Sequence, residues 1–345
     1  MNHLINIFSF GIIFIFLYLI NFILIKYKKL IHSSHKEKHK KFGLDKIPLS
    51  GGLFFFFVFS YLNLDQYFIN NFYIIGVFCY LFFGLLVDLD FDINPKIRFL
   101  LQIFLTIIFV FIFKLTIYKT NLSFLDFLLG NNIFNILFTS LCILIILNGL
   151  NFMDGVNNNV VGFCLLIIFS IIVIETKNSS IENLYYFKIL LYSLIVFYFF
   201  NSFNKNYLGD SGIYVLAISI SLIVILFVNN SQYVSPLLAV NFLWYPALET
   251  LFSIIRKLND KKNPFKPDTK HLHTLFLKFL GSRNIKMKNT MSGLFINFSL
   301  IPNFIISMFY YGNSKILILT TLIYIIAYVL IYYRLNNILK NNLID

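Results

Sequence analysis

Four short polar segments hold the acids, amides and histidines that could do chemistry in this chain: GLLVDLDFDINPKIR from Gly84, NGLNFMDGVNN from Asn148, NYLGDSG from Asn206 and PDTKHLHT from Pro267. In the first, Asp88, Asp90 and Asp92 alternate. Carboxylates so placed at an interface can hold a divalent cation or orient a nucleophile, because Mg²⁺ favours carboxylate and phosphate oxygens. The spacing is not that of a calcium loop, and a hydrated turn accounts for Asp90 and Asp92 as well. In the second, Asn151 and Asp154 stand three apart and share a face if the helix continues through Phe152 and Met153. An amide and a carboxylate there can bind sugar or nucleotide hydroxyls or support a phosphate-bound metal; a polar helix terminus explains Asn157, Asn158 and Asn159. In the third, Asp210 is enclosed by Gly209, Ser211 and Gly212. It reads either as a helix cap or as a metal ligand, with glycines that let phosphate oxygens come close. In the fourth, His271 and His273 lie in a basic stretch that lacks the HExxH pattern of zinc peptidases, so phosphate contact or acid–base assistance suits them better than zinc.

The elements that must position these residues are apolar. Of 345 residues 59% are hydrophobic, 44 are Phe, and the mean hydropathy is +0.79, well beyond the apolar content of a soluble domain. The expected fold is all-α, a polytopic transmembrane helical bundle of about eleven spans near 4–25, 50–63, 67–87, 97–113, 133–150, 159–174, 184–201, 211–228, 234–254, 291–311 and 316–333. The second and sixth are the shortest against the roughly 20 residues a crossing needs. The first run reads as a retained span, being too long for a signal-peptide core and without a basic segment before it. Cys79, Cys142 and Cys164 all fall inside apolar runs, so neither a disulfide framework nor a thiolate metal site is indicated.

Charge placement sets the orientation. Lys26 to Lys46 contains eight lysines against Glu37 and Asp45, and Arg256 to Lys288 contains ten Lys or Arg against Asp260 and Asp268. Basic loops belong on the cytoplasmic side, so the segments 26–48 and 256–290, the latter bearing His-Leu-His, are expected there within a single integral-membrane domain over 1–345. The same alternation puts Asp88, Asn151, Asp154, Asp210 and His271 at the cytoplasmic face. His32, His35 and His39 read as part of the basic interfacial segment. The lysines suit anionic headgroups and substrates, and the net charge of +13 gives no argument for nucleic acid.

Taken together, the segments resemble the polyprenyl-phosphate N-acetylhexosamine-1-phosphate transferases, the glycosyltransferase family 4 enzymes that initiate O-antigen, enterobacterial common antigen and teichoic acid synthesis. GLLVDLDFDINPKIR is similar to the family's GLIDDL segment followed by SPKxR, NGLNFMDGVNN to NAxNLIDGLNG, NYLGDSG to FLGDSG, HLHT to HIHH, and LWYPALETLFSIIRK to YPVxETxFxxxRR. The resemblance runs from Lys46 through the final spans. It implies that N-acetylhexosamine 1-phosphate passes from a UDP-N-acetylhexosamine to undecaprenyl phosphate with release of UMP, in the bacterial inner membrane and with Mg²⁺, or alternatively Mn²⁺. It further implies catalytic roles for Asp88, Asp154, Asp210, His271 and His273, metal ligation by Asp210 and Asp88, and substrate contacts from Lys46, Asn151, Asp90 and Lys270. Partners are then the two substrates and membrane lipids, with a homodimer as one option for assembly.

Four residues depart from the family pattern. Val87 replaces the first acid of its acidic pair, Thr274 the last histidine of HIHH, and Thr269 the arginine of PDR. Asp88 remains, so activity is expected to remain; Asp90 substitutes for the missing acid only if the local helix turns suitably. Asn158 stands where the family has glycine. The competing readings are a catalytically degenerate member with a scaffold role, which Val87 favours, and a membrane transporter, which would put polar groups near the bilayer midplane rather than at one face.

Overall fold

The structure, a computed structural model, describes residues 2–31, 47–62, 73–91, 93–178, 184–264, 268–281 and 285–341, with side chains from Phe8 onward and excepting those of residues 285 and 286. Lys46, Asp92, His32, His35 and His39, and with them most of the basic segment 26–48, lie outside these residues.

Among the described residues the chain forms thirteen helices: α1 (Asn2–Tyr27), α2 (Gly51–Leu62), α3 (Tyr73–Asp88), α4 (Pro95–Phe113), α5 (Ser123–Leu129), α6 (Asn132–Met153), α7 (Asn159–Lys177), α8 (Leu184–Ser202), α9 (Gly209–Asn230), α10 (Leu237–Asn259), α11 (Leu272–Phe279), α12 (Ile285–Tyr310) and α13 (Ser314–Asn341). Strand pairing is limited there to two isolated bridges, Ile31 with Pro48 and Leu49 with Tyr207. Helix is what apolar sequence of this length must adopt in hydrocarbon, where each backbone N–H and C=O has to be satisfied within its own segment. Local signals agree. Pro95 opens α4 behind Asn94, whose side chain accepts from Lys96 N, and Lys114 in the left-handed region closes it.

Each of the eleven expected spans contains an apolar helix, and among the described residues nine of these helices are long and apolar enough to cross a membrane. The chain is a polytopic all-α integral membrane protein. The sixth expected span, 159–174, runs to Lys177 and is long enough. In contrast, α2 and α3 have 12 and 16 residues, short of the roughly 20 of a full crossing. The short helices α5 and α11 lie outside the expected spans. Large apolar side chains remain exposed along α1, α4 and α13, among them Phe8, Phe111 and Leu330, as a lipid-facing surface requires. α9 is enclosed instead, with 83% of its apolar window buried against 22% for α1 and α4.

The helices group into two compact units. The first comprises Met1–Asp92, Asp154–Ser219 and Ile285–Asn297; the second comprises Ile93–Met153, Ile220–Asn284 and Phe298–Asp345. In the first, α2 packs on α3 and α8, α1 on α2 and α8, and α7 on α8. Its aromatic centre is Phe54, Phe55 and Phe197, with Phe197 5.0 Å from Phe55 and 5.9 Å from Phe54 between ring centroids. In the second, α6 packs on α4 and α10, and α13 on α10 and α11.

Two devices join helices in the second unit. Gly149 of α6 lets the backbone of α10 come so close that a Cβ built on it would stand 2.1 Å from the carbonyl oxygen of Pro246. Farther along α10, the fully buried Asn241 donates to Asn303 of α12 and to Thr320 and Thr321 of α13, at 3.2, 3.0 and 2.9 Å, and accepts from Ser307. Small residues at close approaches and amides bonded across helices take the place of a hydrophobic driving force, which lipid does not supply between helices. Gly149→Val is therefore expected to lower stability by about 1–3 kcal/mol, as overpacking does. The check is thermal unfolding in detergent beside Gly11→Ala, whose added methyl meets nothing within 4 Å and should leave the midpoint unchanged or higher; equal midpoints for both variants would contradict the close approach.

Candidate active site

In the first unit the end of α3 meets the start of α9. The Asp88 carboxylate, 5% exposed, accepts hydrogen bonds from Asp210 N at 2.9 Å through Oδ1, and from Ser211 N at 3.0 Å and Ser211 Oγ at 2.6 Å through Oδ2. The first N–H groups of a helix have no partner inside it, and they carry the positive end of its dipole. Asp88 supplies the acceptor and the negative charge from another helix. Gly209 makes room: its φ of +70° suits glycine, and a Cβ there would lie 2.6 Å from Asp88 Oδ2. Gly84 and Gly52 serve the same approach from α3 and α2, since a Cβ on either would come within 2.3 Å of a Ser211 atom. The result is Asp210, half-buried, in the first turn of α9.

Beside this junction lies an amide network. Asn157 donates through Nδ2 to Asn204 at 2.8 Å and accepts from Asn289 at 2.9 Å, while Asn158 N donates to Asn201 at 2.6 Å and Asn158 O accepts from Asn297 at 2.8 Å. Asn158 has φ +66°, the left-handed region in which asparagine is the best-tolerated residue after glycine. That explains how it stands where glycine is usual. Asp154 occupies the turn after α6, half-buried. Burial first, and the Asp154 carboxylate second, push the Tyr207 hydroxyl above its ordinary range, which places Asp154 and Tyr207 in one electrostatic neighbourhood.

The second unit holds the histidines. His271 is the residue before α11, and its Nδ1 lies 3.0 Å from Oε2 of Glu249, a residue of α10 that is 1% exposed. Its ring packs against Phe152 at 5.0 Å and lies parallel to that of His273 at 5.7 Å. Its Nε2 is 3.8 Å from Asp268 Oδ1. Asp268 is committed elsewhere: Oδ1 accepts from Lys270 N at 2.8 Å and Oδ2 pairs with Arg256 at 2.8 Å. Burial works to raise the Asp268 carboxyl, but the Lys270 N–H and the charges of His271, Arg256 and Lys257 outweigh it and hold the group below the usual carboxylate range. Lys257, nearly buried, donates to Pro264 O at 3.0 Å and lies over the Phe152 ring at 5.7 Å.

The expected site residues thus fall into two groups. Asp88, Asp154 and Asp210 belong to the first unit, with Asp88 and Asp210 in direct contact; Asn151, Lys270, His271 and His273 belong to the second. Lys46 lies outside the described residues. Asp90 is exposed, two residues past the end of α3 at φ +64°, so the helix does not turn it into the place of the acid that Val87 replaces. Asn151 is buried in the last turn of α6, which does continue through Met153. Lys270 reaches Asp260 at 3.8 Å. Glu249, Asp268 and Arg256 were not among the expected site residues. An acid inside a span, as in YPALET, is the signal that could have found Glu249, because such acids persist only when paired.

Two outcomes follow from this geometry. Asp88→Asn turns an NH₂ group toward N–H donors and should cost about 1–3 kcal/mol of stability, as an unsatisfied buried donor does, read as a lower unfolding midpoint; an unchanged midpoint would contradict the junction. Because the folded-state pKa of Asp268 is depressed, its contribution is present above the ordinary carboxylate value of about 4 and is lost as pH falls through the lower folded value. Protection of the amides of 268–271 from hydrogen exchange, corrected for the intrinsic pH dependence, should therefore persist at pH 5 and vanish only below about pH 4.

Comparison with known proteins agrees with the motifs. Residues 71–228 match the family model described as glycosyl transferase family 4. Among similar proteins, an undecaprenyl-phosphate alpha-N-acetylglucosaminyl 1-phosphate transferase of Thermotoga maritima is 31% identical over 45% of this chain and 46% of its own length. A probable undecaprenyl-phosphate N-acetylglucosaminyl 1-phosphate transferase of Bacillus subtilis is 26% identical over 59% of this chain and 57% of its own. An undecaprenyl-phosphate alpha-N-acetylglucosaminyl 1-phosphate transferase of Salmonella typhi is 24% identical over 81% and 76% respectively. The chain spans about half the length of the first two relatives. Asp88, Asn151, Asp154 and Asp210 all lie inside the matched stretch, and these similarities support the resemblance to the polyprenyl-phosphate N-acetylhexosamine-1-phosphate transferases.

Proposed function

We propose that this protein transfers N-acetylhexosamine 1-phosphate, with N-acetylglucosamine as the first sugar to test, from its UDP derivative to undecaprenyl phosphate at the cytoplasmic face of a bacterial inner membrane, as the first step of an envelope polysaccharide. A phosphate oxygen of the lipid attacks the β-phosphorus of the UDP-sugar, a new P–O bond forms, the bond from the β-phosphorus to the bridging oxygen breaks, and UMP leaves with that oxygen. No covalent intermediate on the protein is needed. Such a transfer depends on alignment and on neutralising negative charge.

The observation that carries the reading is Asp210 at the start of α9, held there by Asp88, within a stretch that matches the family. Both Asp88 oxygens already accept hydrogen bonds, so we assign Asp88 to positioning the helix start and Asp210 to contact with the reacting diphosphate. Among the described residues no three His, Cys, Asp or Glu side chains form a metal cluster. A half-buried carboxylate without such a cluster fits Mg²⁺ or Mn²⁺ held by one or two carboxylates and mainly by substrate phosphates. Asp210 would hold the ion, and the charge neutralisation it supplies when bound would act on the diphosphate. Asp154 and Asn151 suit the nucleotide-sugar hydroxyls; His271 and His273 suit phosphate oxygens.

Val87 favours a second reading, a family member that has lost catalysis and serves as a scaffold. Purified protein given undecaprenyl phosphate, Mg²⁺ and a panel of UDP-N-acetylhexosamines separates the two. Release of UMP with matching formation of lipid-linked sugar is the expected result, falling by about 100-fold or more in Asp210→Asn, as loss of a charge-stabilising group does. No product from a folded sample across the panel would support the scaffold.

A further inference from the structure

We propose that Glu249 is the positioning residue of His271: its carboxylate holds the Nδ1 proton, so that Nε2 is the nitrogen presented to phosphate. The histidine's contact with phosphate rests on the function proposed above; the fixed tautomer does not.

Glu249 is 1% exposed on a helix long and apolar enough to cross a membrane, where a carboxylate needs a partner. His271 Nδ1 at 3.0 Å from Oε2 is that partner, and the imidazole is itself only 7% exposed. An ionised carboxylate can only accept, so Nδ1 must carry the proton. The hydrogen bond made by one ring nitrogen decides the state of the other. With Nδ1–H fixed, Nε2 carries either the lone pair or the exchangeable proton.

Two further contacts keep Nε2 available and aimed. Asp268 Oδ1 stands 3.8 Å from Nε2, within ion-pair distance but beyond hydrogen-bond range, and also accepts from Lys270 N, while Oδ2 pairs with Arg256. Phe152 packs on the ring at 5.0 Å, and the parallel ring of His273 lies 5.7 Å away, so rotation would break both contacts. A glutamate kept only for packing would not need its Oε2 in line with Nδ1.

The test reads the tautomer directly. Full-length protein labelled with ¹⁵N-histidine and held in lipid is studied by solid-state NMR, with His271→Asn identifying the signal. The expected wild-type pattern is a protonated Nδ1. Glu249→Met keeps the volume and removes the acceptor; it should give a mixture of tautomers. In the transfer assay it should lower turnover by about 100-fold, the low end of what a group stabilising developing charge contributes, with the KM for the UDP-sugar within about threefold, since a group acting in the transition state leaves binding largely intact. Glu249→Gln retains an acceptor oxygen and should keep Nδ1 protonated and recover most of the turnover. An unprotonated Nδ1 in the wild type overturns the proposal even if Glu249→Met does not fold, and so does an unchanged pattern in folded Glu249→Met. If the wild type transfers no sugar, the tautomer still decides the role of Glu249, and only the proposed activity falls.

Discussion

The start of α9 is the place on which the rest of the first unit depends. A helix has no internal partners for its first N–H groups, and where those groups are buried, as at Ser211, water does not take them. The Asp88 carboxylate takes two of those groups and the Ser211 hydroxyl together. A buried carboxylate and a buried helix start are each costly alone; paired, each removes the other's cost. The pairing requires backbones to approach more closely than side chains allow, which is why Gly52, Gly84 and Gly209 surround it. Asp210 then falls in the first turn with no freedom to drift, a preorganised carboxylate of the kind that phosphoryl chemistry uses.

The second unit solves the same problem with side chains on both sides. Glu249 with His271, and Asp268 with Arg256, are charges in low-exposure surroundings whose partners also fix direction. Two cations close the last turn of α10, Arg256 paired with Asp268 and Lys257 buried over Phe152. Deeper in the bundle, where no charge is present, Asn241 and its partners on α12 and α13 hold the helices by neutral hydrogen bonds.

Much of this was legible in the sequence. Apolar runs near 20 residues gave the helices, because length against bilayer thickness is a strong constraint, and among the described residues α2 and α3 are shorter than a crossing. Asp88 and Asp210 were legible as chemistry-bearing residues, and the glycines beside Asp210 as a close approach. That the approaching atom is the carboxylate of Asp88 was not legible, since no local pattern tells a helix start which distant residue will cap it. Asn158 looked like a departure until its positive φ showed the same backbone demand that glycine meets. Glu249 stood in a noted stretch without a role, because its partner lies 22 residues away across a loop that no periodicity describes.

The central claim is a division of labour between two acids, with Asp88 building the start of α9 and Asp210 meeting the diphosphate. The most direct measurement is an experimental structure of the protein with Mg²⁺ and UDP-N-acetylglucosamine bound. The account predicts metal and diphosphate density against Asp210, with Asp88 still bonded to Asp210 N and Ser211 N. Density showing Asp88 turned away from those amides and onto the metal would contradict it.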